Sequence, residues 1–305
     1  MQAQLTLFPD GQEVREEVMR SLERFDLPAA RARCDAVRRC DPGLPGMELL
    51  DAAIAWLERK AGGVPEAIAA AFCDLASAGD TETMAPEVAE LVDLAVARCA
   101  VRVHDGRAPF IDPAQRLHFG SVLLVLDRAE AAREWLRSTL FAEGRGFSAR
   151  ADLWGYLGDA CTLVEREREA QAAYVRALVV DPQAVDLRRL RHGGLRHAWQ
   201  DLRGTGPDAA RGRLLVSAWR CGVLDFPRGD DTLAHLRGPL REGALQGADA
   251  DAPEAERHRR FGVLAYVDRS LPAGQPPDVD ARAAMQDLDA TLFAEYMRAV
   301  ARAEA

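Results

Sequence analysis

The sequence predicts an all-α protein of stacked antiparallel helical hairpins, an α-solenoid with a helical carboxy-terminal extension. Three observations predict it. Apolar residues recur at i, i+3, i+4 spacing along most of the chain, the period of a helix with one buried face. Convincing strand alternation is missing. Proline, glycine or short charged turns punctuate the apolar runs, as helices joined by tight connections require.

Of the 305 residues, 48% are hydrophobic, which excludes wholesale disorder. No apolar run approaches the roughly 18–20 residues needed to span a bilayer, so no membrane partner is expected. The opening MQAQLTLFPDG has neither a leading positive charge nor an h-region. The expectation is a cytoplasmic protein. A net charge of -9 and a pI near 5.3 argue against direct, sequence-independent nucleic-acid binding. One stretch runs the other way: arginines 188, 189, 191, 196, 203, 211, 213 and 220 face only three aspartates between Ala184 and Arg220. It is read either as an anion-binding or acidic-partner face or as solvated helix surface. The single lysine, Lys60, and the lack of asparagine fit GC-rich bacterial coding.

Residues 1–12 are expected to be an extended peptide, because Pro9-Asp10-Gly11 breaks any continuation into the first helix. Residues 13–182 are expected to form the repeat region. Its first hairpin carries Ala30, Cys34, Val37 and the pair Asp41-Pro42. Alanine-rich amphipathic helices follow at 47–60, 65–77 and 86–103, each with a proline or glycine at its boundary. Residues 113–144 form a further hairpin around Gly120, Ala132 and Leu136, closed by Gly144.

The clearest hairpin is 151–182, where apolar residues recur from Leu153 to Val164 and again from Ala170 to Val180 around the charged run EREREA. Gly158 and Ala170 are small where two helices must approach closely, Trp154, Leu157 and Tyr174 fill the space beside them, and Pro182 ends the second helix. These positions resemble the tetratricopeptide (TPR) repeat, W-x2-L-G-x2-Y, then A-x3-F, then P. Cys161 stands where the first aromatic is usual. Ala30, Cys34, Val37 and Pro42 repeat the separations of Ala170, Tyr174, Ala177 and Pro182, and Gly120, Ala132 and Leu136 those of Gly158, Ala170 and Tyr174.

Residues 183–305 are expected to extend or cap the stack with helices at 184–202, 208–221, 231–245, 254–269 and 279–303. GADADAPEAE near residue 250 and LPAGQPPDVD near 275 read as loops, the former lacking calcium-loop spacing.

The resemblance implies protein binding in a concave groove lined by the first helix of each repeat. Its inward positions map to Asp152, Gly155, Asp159, Thr162 and Leu163. Two aspartates there suit a basic or apolar segment better than an acidic tail. The function expected is a scaffold or adaptor for another protein, not an enzyme. No cofactor is expected.

The pentapeptide Gln4-Leu5-Thr6-Leu7-Phe8 resembles the bacterial sliding-clamp-binding peptide, in which glutamine bonds at the pocket rim and the last leucine and phenylalanine fill an apolar pocket. Threonine stands where serine or aspartate is usual. The resemblance implies, as an alternative, a replication or repair accessory protein held by the sliding clamp. Docking of these residues back onto the helices as a staple is the competing reading.

Catalytic motifs give little: there is no phosphate-cradling glycine loop, no H-E-x-x-H and no G-x-S-x-G. An enzyme would need a site of dispersed helical residues, which is the remaining alternative. No metal site is expected. Cysteines 34, 40, 73, 99, 161 and 221 form no C-x2-C pair and read mostly as small core residues. His192 and His197 are five apart, a poor helical match for shared ligation, and histidines 104, 118, 235 and 258 are isolated surface or capping residues.

Overall fold

The computed structural model describes residues 11–61 save 25 and 45, isolated positions between 87 and 112, residues 117–142, residues 146–246 save 188, and residues 251–304. Residues 4–8 and the helix expected at 65–77 lie outside the described residues, as does most of 86–103. The protein is all-α, apart from one antiparallel ladder of β1 (Ile111–Asp112) with β2 (Leu117–His118). Two-residue strands offer no alternation for a sequence to reveal. No helix among the described residues is long and apolar enough to cross a membrane. Internal contacts divide the chain into two compact units at Arg128/Ala129, whereas the sequence pattern loosens after residue 182.

In the first unit α1 (Gly11–Glu23), α2 (Leu27–Cys40) and α3 (Met47–Ala61) pack in succession. Helix α2 starts where Asp26 accepts from the Ala29 amide at 3.0 Å and Pro28 occupies the first turn, where its missing N–H costs nothing. Val18, Leu22, Ala30, Cys34, Leu50 and Ile54 are buried together. Arg31 and Arg38 of α2 reach Asp51 of α3, and Arg31 also reaches Glu58. Helix α4 (Phe119–Val125) is capped by His118, whose Nδ1 accepts from the Ser121 amide at 3.1 Å.

The second unit contains α5 (Ala129–Leu140), α6 (Ala151–Leu163), α7 (Glu167–Val180), α8 (Gly193–Leu202), α9 (Pro207–Arg220), α10 (Ala234–Leu245), α11 (Glu254–Arg269), α12 (Val279–Leu288) and α13 (Ala290–Glu304). Helix α6 packs between α5 and α7, and α9 packs between α8 and α11. Helix α11 also holds α10 and α12, and α12 holds α13. Close approach is built in by glycine. A Cβ at Gly158 would lie 2.7 Å from the Tyr174 ring, and one at Gly212 of α9 would lie 2.6 Å from the Ala255 carbonyl oxygen of α11.

The turn joining α6 to α7 places Glu165 at φ 59, with Glu165 N donating to Thr162 O and Arg166 N to Cys161 O. After α4, Asp127 stands at φ 58, with Asp127 N donating to Leu124 O and Arg128 N to Leu123 O. Both are Schellman caps with a non-glycine residue in the left-handed position. Their offset is the one that separates Gly120 from Gly158. Helix α9 ends the same way on Gly222 at φ 70, whose N–H donates to Trp219 O while Val223 N donates to Ala218 O.

Two helices expected from the sequence are shortened or divided. The one expected at 184–202 is helical over Gly193–Leu202, while the described residues 184–187 and 189–192 form an irregular strap between α7 and α8. The span 279–303 is broken at Asp289, which is extended at φ -164 and whose carboxylate accepts from the Leu292 amide at 2.9 Å, ending α12 and capping α13. LPAGQPPDVD is a loop, as expected, up to Asp278, which caps α12 through the Ala281 amide.

Candidate functional site

The residues expected to line a partner groove on α6 are largely engaged within the protein. Asp152 is 3% exposed and takes an ion pair from Arg150. Gly155 faces the strap, where a Cβ would lie 3.3 Å from Val185. Asp159 is 3% exposed; its Oδ1 accepts from the Tyr174 hydroxyl at 2.6 Å and from the Arg191 amide at 2.7 Å. Burial pushes the Asp159 carboxyl up to about 7, although both hydrogen bonds pull it down. Thr162 is half-buried and turns its hydroxyl to the Gly158 carbonyl. Leu163, at 40% exposure, is the member of the set left open to solvent. The strap supplies part of this cover, Val185 over Gly155 and the Arg191 amide on Asp159.

Polar groups fix the strap along its length. Arg211 of α9 donates one Nη1 to the carbonyls of Pro182, Gln183 and Val185, satisfying groups that irregular buried backbone would otherwise leave bare. Asp186 accepts from the Tyr156 hydroxyl at 2.9 Å, and Arg189 approaches the same pair. His192 closes the strap: its Nδ1 accepts from the Leu195 amide to cap α8, and its Nε2 meets Glu167 at 2.8 Å.

The arginine-rich stretch is therefore not one free basic face. Arg189 and Arg211 hold the strap, Arg213 pairs with Glu254 and Arg220 with Glu295. His118 and His192 are helix caps, whereas His258, expected at the surface, is buried on α11. Burial lowers its pKa. Cys34 and Cys161 are core residues, while Cys40 and Cys221 are exposed. Among the described residues no group of three or more His, Cys, Asp or Glu is arranged to hold a metal ion.

An open concavity of the second unit lies between the carboxy-terminal end of α9 and α13. It is a cleft of about 1020 Å³ whose walls include Trp219, Arg220, Leu224, Glu295, Arg298 and Arg302. One aromatic side chain, Trp219, lines it, backed by the buried rings of Phe226 and Tyr296. Trp219 is half-buried, with its ring centroid 5.9 Å from Phe226 and 6.1 Å from Tyr296, and Phe293 stacks on Tyr296. Tyr296 is fixed in turn by its hydroxyl, which donates to Asp268 at 2.8 Å. On the rim, Glu295 takes two hydrogen bonds from Arg220 at 2.9 and 3.3 Å, bridging α13 to α9. Arg298 and Arg302 are exposed one turn apart on α13.

Of these cleft residues only Arg220 was given a possible partner role from the sequence, as the last arginine of the stretch read alternatively as an acidic-partner face. The visible signal was the i, i+4 pair Arg298 and Arg302 in the last amphipathic helix. What makes it a cleft is the return of α13 to the end of α9, a tertiary event without a local signature. No family model, curated protein or solved structure matches the chain.

Proposed function

We propose that the chain is a helical protein-binding module that takes a segment of another protein in the cleft between α9 and α13. The carrying observation is the cleft, with Trp219 packed on buried Tyr296, a bridged rim and exposed guanidinium groups, a combination suited to anchoring a partner side chain within a polar border. The TPR-like hairpin at 151–182 supports the reading by its architecture: its signature residues serve helix packing, and the Schellman turn recurs at the offset of the weaker repeat. Binding on the α6 face is disfavoured because Asp152, Gly155 and Asp159 are covered. An enzyme reading is less favoured too, since Asp159, poised near neutrality, faces Tyr174 and the Arg191 amide and not an open pocket.

The test is site-specific crosslinking in cells with a photoreactive residue at Ala301 in the cleft or at Leu163 on α6. The proposal predicts a defined protein adduct from position 301 and none from 163. An adduct from 163 alone would move the site back to α6.

A second reading rests on Gln4-Leu5-Thr6-Leu7-Phe8, whose resemblance to the clamp-binding peptide supports tethering to a sliding clamp. Titrating a purified bacterial clamp with a peptide of residues 1–11 tests it. Saturable binding supports the tether, and no binding at high micromolar peptide removes it.

A further inference from the structure

The charges of the cleft point to the chemistry of its occupant. Arg220 and Glu295 satisfy one another, so this pair shapes the rim without selecting a charged partner. Asp225 accepts from the neighbouring Phe226 amide at 2.9 Å, which orients it while leaving its negative charge in the cleft. Arg298 anchors its Nε on the Ala294 carbonyl at 3.2 Å, which directs the arm while leaving its terminal N–H groups for another acceptor. Among the described residues neither Arg298 nor Arg302 has a carboxylate partner. Elsewhere in this unit, Arg241 holds Asp278 and Asp280, Arg282 holds Asp268, and Arg259 and Arg260 share Glu256. Among the described residues the cleft thus presents two cations without a carboxylate partner, Arg298 and Arg302, beside Trp219 and against the single unpaired carboxylate of Asp225, on a protein whose net charge is -9.

Spacing narrows the fit. Four residues along a helix rise about 6 Å. Alternate residues of an extended chain are about 6.6–6.8 Å apart with their side chains on one side. Two carboxylates at positions i and i+2 of an extended segment therefore match Arg298 and Arg302, each as a charge-assisted pair. Ala299 and Ala301, which also line the cleft, have little side chain to hold such a backbone away from α13.

We propose that the cleft binds an extended acidic segment of a partner protein, with two carboxylates at alternate positions on Arg298 and Arg302 and a neighbouring apolar side chain on Trp219. This inference rests on the reading of the cleft as a protein-binding site. It reverses the polarity expected from Asp152 and Asp159, which are engaged internally.

The experiment is selection of a displayed random dodecamer library on the full-length chain, followed by fluorescence anisotropy of the enriched peptides against that chain and against R298E/R302E. Both substituted residues are exposed, and an unchanged thermal midpoint verifies the folded variant. The expected result is enrichment of Asp/Glu-x-Asp/Glu sequences next to an apolar residue, with affinity at least tenfold weaker for R298E/R302E and falling as salt rises. Neutral or basic peptides that lose affinity for the variant would overturn the acidic assignment and leave the cleft as the binding site. Peptides that bind both proteins within threefold, or no enrichment over the bare support, would overturn the cleft reading as well.

Discussion

Every tyrosine of the chain donates its hydroxyl to a buried aspartate: Tyr156 to Asp186, Tyr174 to Asp159, Tyr266 to Asp230 and Tyr296 to Asp268. These aspartates differ in what else they meet. Burial pushes Asp230 up, but Arg176, bonded through Nε and Nη2 at 2.8 and 2.9 Å, outweighs it and holds the carboxyl at about 2. Asp159 has no such cation and moves to about 7. Removing Arg176 strands a buried charge, so Arg176→Ala should cost about 3–5 kcal/mol, whereas Tyr266→Phe leaves Arg176 and the Thr232 amide in place and should cost about 1 kcal/mol. Urea unfolding midpoints compare the two; equal losses would contradict the assignment. Asp159 gives a pH signature. Its folded value lies above 3.8, so its contribution to stability is complete below that pH and is lost as pH rises through about 7. Asp159→Asn retains an acceptor for Tyr174 and the Arg191 amide without the charge. Its thermal midpoint should therefore fall less than that of the wild type between pH 6 and pH 8, and identical slopes would refute the cause given.

Among the elements, the α6–α7 hairpin was the most legible, because small Gly158 and Ala170 and large Trp154 and Tyr174 are local records of how near two helices come. The span of α3 was legible too, expected at 47–60 and found at Met47–Ala61, whereas the cap of α2 by Asp26 was not read. The strap was misread because Val185, Leu187 and Leu190 are buried like a helical face, while the group that satisfies its carbonyls, Arg211, lies on another helix. Asp289 was missed as a helix break since an aspartate between apolar residues reads equally well as exposed helix surface. The α6–α7 turn makes its own prediction. Holding an L residue in the left-handed region costs about 1–2 kcal/mol, and glycine returns about 0.4–1 kcal/mol of that through the unfolded chain. Glu165→Gly should therefore stabilise the protein by about 0.5–1 kcal/mol, and a lower denaturation midpoint would show that the Glu165 side chain contributes more than its backbone strain.

At the scale of the molecule, the sequence foretold the all-α class and most helices but not that Asp152, Gly155 and Asp159 of the expected groove would be buried. The α6 face was inferred from hairpin geometry without the strap, and the cleft joins Arg220 to Glu295 across 75 positions, a distance no local pattern spans. Composition could not reveal it either, since an acidic chain hides Arg298 and Arg302 in its totals. In the proposed binding mode a partner engages α13 and the end of α9 while the α6 face stays closed by its own strap. The most direct measurement is amide hydrogen exchange of the full-length chain with and without the protein crosslinked from position 301 or a peptide enriched on the cleft. Protection confined to 219–226 and 290–303, with 151–163 and 183–192 unchanged, is the predicted result. Protection of 151–163, accompanied by faster exchange in 183–192 and no change in α13, would contradict it.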